Sequence, residues 1–77
     1  MAAHKAFVLI LAEMGQVGNV LNALTGKKGV DEVDVITGPY DIIATISGFD
    51  TNDIANTVVN SIHSIDGIQH TITLIAV

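Results

Sequence analysis

The architecture of this chain is legible first in Val35-Ile36-Thr37-Gly38-Pro39-Tyr40-Asp41-Ile42-Ile43-Ala44. Apolar, largely β-branched residues stand on both sides of a break at Gly38-Pro39-Tyr40. Glycine tolerates positive φ, and proline fixes φ and has no N–H to give to a strand ladder. Two strand-like runs separated by so short a break read as a β-hairpin. The break holds the chain's one proline and one tyrosine, with Asp41 beside them. Its residues therefore have to be weighed both as a connector and as a site.

The run before the break covers Val30 to Thr37. Val33, Val35 and Thr37 fall on one side, and Glu32, Asp34 and Ile36 on the other. The polar start and apolar finish predict a strand that enters the core as it approaches the turn. The run after the break, Asp41 to Gly48, is a second strand rich in Ile and Thr. Upstream, Ala6 to Ala12 is a continuous apolar run of strand length, the pattern of a strand buried on both faces. From Gln16 the period changes. Val17, Val20, Leu21 and Leu24 recur at i, i+3, i+4 and i+7, which predicts a helix over Gln16 to Thr25 closed by Gly26. Gly18 inside it costs about 1 kcal/mol relative to alanine. Downstream, Phe49 to Asp53 opens a second helix that Asp50 or Thr51 can cap. Its buried stripe is Ile54, Ala55, Val58, Ile62 and Ile65. Asp66-Gly67 ends it, and Ile68 to Val77 forms the last strand.

The order β-α-β-β-α-β is the ferredoxin-like split βαβ motif, an α+β fold, expected as one domain over residues 1–77. Two helices should cover one face of a four-stranded antiparallel sheet. The other face is the informative one. Phe7, Leu9 and Leu11 are as apolar as Val8 and Ile10, and Ile43 is as apolar as Ile42. A solvated sheet face would alternate with polar residues, so this one is expected to pack in a dimer, sheet against sheet.

Composition agrees. Hydrophobic residues make up 49% of the 77 and charged ones 14%, too few charges to clothe a small monomer. A chain of this length buries only roughly 60–65% of its unfolded surface and needs a further stabilising device. The chain has no cysteine, which excludes disulfides and thiolate metal sites. His4, His63 and His70 lack the spacing of a helical metal pair, so no metal or cofactor is expected. Oligomerisation is the device left. A net charge of −5, with Lys5, Lys27 and Lys28 as the only cations, argues against a nucleic-acid surface. No apolar run reaches the roughly 18–20 residues of a membrane span. No basic-then-apolar signal segment opens the chain. A cytoplasmic location is expected.

At this point the residues carry a resemblance. The chain is similar to the C-terminal effector-binding domain of the Lrp/AsnC (leucine-responsive/asparagine-responsive) regulators, the RAM domain. The hairpin resembles that family's pattern of glycine, a variable residue, tyrosine and aspartate between apolar strands. Asp66-Gly67-Ile68-Gln69-His70-Thr71-Ile72-Thr73-Leu74-Ile75 resembles its closing strand, where Gly-Ile/Val leads into two threonines one residue apart. Family regulators carry a helix-turn-helix domain before this one. Here only about five residues precede the first expected strand, so the chain looks like the stand-alone form of the module. Gly15-Gln16 and Gly18 also replace a longer charged approach to the first helix.

The resemblance implies dimers formed through the sheets and assembled into a ring, an octamer or decamer. Amino acids would bind between dimers, and the module could join full-length Lrp/AsnC regulators. It maps ligand-binding roles onto Gly38 and Asp41, with Pro39 and Tyr40 between them bordering the cleft, and onto Thr71 and Thr73. The chemistry is compatible: a carboxylate such as Asp41 can take an effector's ammonium, and exposed turn amides can take its carboxylate. Plainer readings stand beside each role. Gly38-Pro39 is ordinary turn chemistry, and Asp41 can bond its own turn amides. Thr71 and Thr73 are common strand residues, and Tyr40 could anchor a subunit contact. His70 lies opposite the threonines, His63 suits the end of the second helix, and His4 falls in a mobile terminus. Asp31, Glu32 and Asp34 read as a solvated edge. Ferredoxin-like dimers also include small monooxygenases and isomerases, and related ACT-type domains serve as regulatory subunits. Asp41, His63 and His70, without any arginine, are few groups for a catalytic pocket, so no enzyme is expected.

Overall fold

A computed structural model of the protein describes residues 4–76. The expected order of elements is present: β1 His4–Ala12, α1 Val17–Leu24, β2 Val30–Val35, β3 Ile42–Gly48, α2 Thr51–Thr57 and β4 Ile68–Ile75. A π-helical turn, Val58–Ile62, continues α2. The four strands form one sheet in the order β2-β3-β1-β4, antiparallel at every pair. This is the ferredoxin-like α+β arrangement.

The core follows from period-2 alternation along the central strands. Ala6, Val8, Ile10 and Ala12 of β1 and Ile42, Ala44 and Ile46 of β3 are buried on one face. Val20 and Leu24 of α1, Ile54 of α2 and Val58 and Ile62 of the π turn pack onto them. α1 lies over β2 and β3, and α2 over β3 and β1. The side chains of opposite parity, Phe7, Leu9 and Leu11, face away from the helices with Ile43. The register sets Leu9 between Ile43 and Ile72, and Phe7 beside Leu74. Ile72 and Leu74 are exposed. Neither helix lies on this face, and apart from Lys5, Glu32 and Asp34 it carries apolar, hydroxyl and histidine side chains.

Several local expectations are corrected. β1 begins at His4, which pairs with Gly48, so His4 belongs to the sheet and not to a mobile end. β2 stops at Val35, and Val35 is 56% exposed. The strand does not sink into the core toward the turn, because β2 is a sheet edge and the helices do not reach its far end. Its register slips between Val30 and Glu32, leaving Asp31 as the extra residue of a bulge, a common feature of edges. The hairpin connection is wider than Gly38-Pro39-Tyr40: Ile36 and Thr37 have left the strand, and the Ile36 N–H donates to the Asp41 carbonyl at 2.8 Å. Ala55, expected in the buried stripe, is exposed. Asp50 caps α2, its Oδ1 accepting the Asp53 N–H at 2.8 Å. Helix α1 spans Val17–Leu24, inside the predicted Gln16 to Thr25. The expected end of the last strand at Val77 lies outside the described residues.

Candidate functional site

The sheet carries its connections at two ends. At one end lie the hairpin turn Ile36–Asp41, the β1–α1 turn and the α2–β4 connection, because β1 finishes where β3 and β4 begin. At the other lie the α1–β2 and β3–α2 connections. The residues singled out in the hairpin occupy the first end.

Gly38 sits at φ 149°, outside the range most side chains adopt, and both it and Pro39 are exposed. Asp41 is tied into the sheet. Its N–H donates to the Ile10 carbonyl at 2.9 Å, and its Oδ2 accepts the Ala12 N–H at 3.0 Å. One carboxylate oxygen thus holds the hairpin against the end of β1. Tyr40 is half-buried, with its ring centroid 6.3 Å from that of His70. The two rings rest together at the end of the sheet.

Thr71 and Thr73 pair with Ile10 and Val8, so both hydroxyls point to the helix side of the sheet. Thr71 Oγ1 lies 3.0 Å from His63 Nε2, joining β4 to the end of the helix. Thr73 is exposed because the helices lie over the other three strands. Asp41 and Thr71 flank the same β1 segment from opposite sides, two strand spacings or about 10 Å apart. Within one subunit the hairpin and Thr71 share an end of the molecule without touching, while Thr73, opposite Val8, lies at mid-sheet. A shallow cleft of about 370 Å³ lies beside Thr71, lined by His63, Ile68, Gln69, His70 and Thr71 itself.

A larger cleft, about 470 Å³, opens at the opposite end, between α2 and the α1–β2 and β3–α2 connections. Lys28, Ser47, Phe49, Asp53, Asn56 and Asn60 line it. Sequence reasoning gave none of these residues a site role: Lys28 counted only as a cation, and Phe49 and Asp53 only as the start of the second helix. Asn56 and Asn60 stand four apart on the polar side of the second helix, the one signal that could have marked a common face. The approach of Lys28 to that face depends on the tertiary fold.

Among the described residues no three His, Cys, Asp or Glu side chains are grouped to hold a metal ion. No helix there is long and apolar enough to cross a membrane.

Comparison with known families gives a match to the Lrp/AsnC ligand binding domain over residues 5–77. The chain belongs to the Lrp/AsnC ligand-binding domain family. Among solved structures, this Lrp/AsnC domain is similar to TTHA0845 from Thermus thermophilus, at 34% identity and a TM-score of 0.90, covering 96% of this chain and 92% of that one. It is also similar to E. coli AsnC, at 27% identity and a TM-score of 0.90, covering 96% of this chain and 50% of that one. The transcriptional regulator NMB0573 from Neisseria meningitidis, solved as a complex with L-Met, shares the fold at 16% identity and a TM-score of 0.84, over 96% of this chain and 49% of that one. No match was found among curated proteins. The family match, with the likeness to E. coli AsnC, makes the Lrp/AsnC domain a regulatory effector-binding module.

Proposed function

We propose that the chain is a non-catalytic amino-acid sensor, a single ligand-binding domain over residues 1–77. It binds its effector between dimers of a larger ring, an octamer or decamer, through Gly38, Pro39, Tyr40, Asp41, Thr71 and Thr73. The observation that carries this reading is the match to a ligand-binding family along nearly the whole chain. The geometry supports it. Gly38 and Pro39 stand exposed at the rim of an uncovered sheet face, where an effector can reach the turn backbone. Asp41 and Thr71 lie about 10 Å apart across β1. That separation suits a ligand held between subunits, each offering one of the two clusters. Phe7, Leu9, Ile43, Ile72 and Leu74 supply the apolar surface for a sheet-to-sheet dimer, and β4 has no Asp, Glu, Lys or Arg to guard its edge. The same contacts would let the module join a full-length Lrp/AsnC regulator.

A thermal-shift screen of the twenty amino acids tests the proposal. A ligand at a hundred times its dissociation constant stabilises the native state by about 2.7 kcal/mol, so at least one amino acid should raise the melting temperature by several degrees. Tyr40→Ala should reduce that rise while light scattering still reports the intact assembly. A flat screen would overturn the sensor reading, and a clean monomer would overturn the ring.

A further inference from the structure

We propose that the larger cleft, at the end of the sheet away from the hairpin, is a second small-molecule site for a zwitterion of α-amino-acid size, its carboxylate on Lys28 and its ammonium on Asp53.

Position separates this site from the hairpin. Gly48, in the wall of the cleft, pairs with His4 at the start of β1, whereas Asp41 bonds Ala12 at its end. The nine residues of β1 put roughly 27 Å between them at the rise of an extended strand. The cleft is on the helix side, clear of the apolar sheet face. Its volume of about 470 Å³ falls within the roughly 300–1,000 Å³ of small-molecule sites.

Charge selects the ligand. The lining residues include one cation, Lys28, and one anion, Asp53. Phosphate or a dicarboxylate would meet Lys28 but be repelled by Asp53, and a diamine would meet the reverse. A molecule with one charge of each sign satisfies both with charge-assisted hydrogen bonds. Asp53 is held ready for this role: its Oδ2 accepts the Phe49 N–H at 2.9 Å. Its Oδ1 has no protein hydrogen bond among the described residues. Residue 48 must be glycine for that placement, since a Cβ there would come within 2.9 Å of Asp53 Oδ2. Asn56 and Asn60 add amide donors and acceptors for a ligand side chain. Phe49, 81% exposed at the rim, offers an aromatic face.

The site shares its ligand class with the sensor reading, on which the choice of amino acids as probes rests, but not its residues, so the two fail separately. The test is a TROSY amide-shift titration of the intact assembly with each of the twenty amino acids. The best responder is then repeated as its N-acetyl and C-amide derivatives, with inorganic phosphate as a further probe. Saturable shifts at Gly29, Gly48, Phe49, Asn56 and Asn60 are expected. Either derivative, and Lys28→Met, should weaken them by about tenfold or more, the scale of one charge-assisted contact. Lys28 is exposed, so its replacement should leave the melting temperature in place. Shifts confined to Ile36–Asp41 and Thr71 would overturn this site and keep the sensor reading. Shifts confined to the cleft would do the opposite, and no shift with any amino acid would overturn both. Phosphate binding as tightly as the amino acid, or Lys28→Met binding normally, would also overturn the proposal.

Discussion

Asp41 ties two distant segments together through one carboxylate oxygen, and its Oδ1 has no hydrogen bond among the described residues. Its Oδ2 closes a contact across 29 residues of sequence by accepting the Ala12 N–H. Removing an acceptor from a part-buried amide costs about 1–3 kcal/mol. Asp41→Ala should therefore lower the stability measured in urea by that amount even without ligand. Asp41→Asn keeps an oxygen in place for the Ala12 N–H and should lose less stability. It also removes the charge that an effector's ammonium would meet. Loss of ligand response in Asp41→Asn, with a near-normal urea midpoint, would assign the carboxylate to binding; an unchanged response would assign it to the hairpin alone.

At the scale of elements, the second helix is held at its start by polar bonds and along its length by apolar packing. Asp50 Oδ1 accepts the Asp53 N–H at 2.8 Å, and Asp53 Oδ2 accepts the Phe49 N–H at 2.9 Å. Asp50→Ala removes the first of these, and caps of this kind contribute about 1 kcal/mol. The expected outcome is a loss of that size in denaturant, with the protein still folded by circular dichroism. Further on, the His63 N–H donates to the Val58 carbonyl, five residues back, at 2.9 Å. This widened turn ends the helix where His63 meets Thr71 on β4. The sheet edges differ as well. β2 carries Asp31, Glu32 and Asp34 and a bulge, features that discourage strand pairing. β4 has neither an acidic nor a basic residue of the Asp, Glu, Lys or Arg kind along Ile68–Ile75.

For the whole molecule, the central question is what lies against the open sheet face. Leu9 is at its centre, between Ile43 and Ile72. Glu in place of Leu9 would set a carboxylate into any sheet-to-sheet contact, where an unpaired buried charge is strongly unfavourable. Leu9→Glu should convert the assembly to monomers by light scattering while far-UV circular dichroism stays close to that of the parent. An assembly of unchanged size would place the subunit contact elsewhere.

Much of this was written in the chain itself. The period-2 runs, the i, i+3, i+4, i+7 stripe from Val17 to Leu24 and the Gly-Pro break are local signals, and they determined the order of elements and which β1 residues share a face. The pairing of hairpin and closing-strand motifs also identified the family, because both lie in short contiguous stretches. Other features depend on residues far apart in sequence. The exposure of Val35 follows from β2 being an edge left uncovered by the helices. The bond from Ala12 to Asp41 and the separation of Asp41 from Thr71 follow from strand order and register. Lys28 and Asp53 come to line one cleft only when the helices dock on the sheet. Local periodicity is set by backbone geometry at each residue, whereas a site is set by which surfaces the packed core brings together.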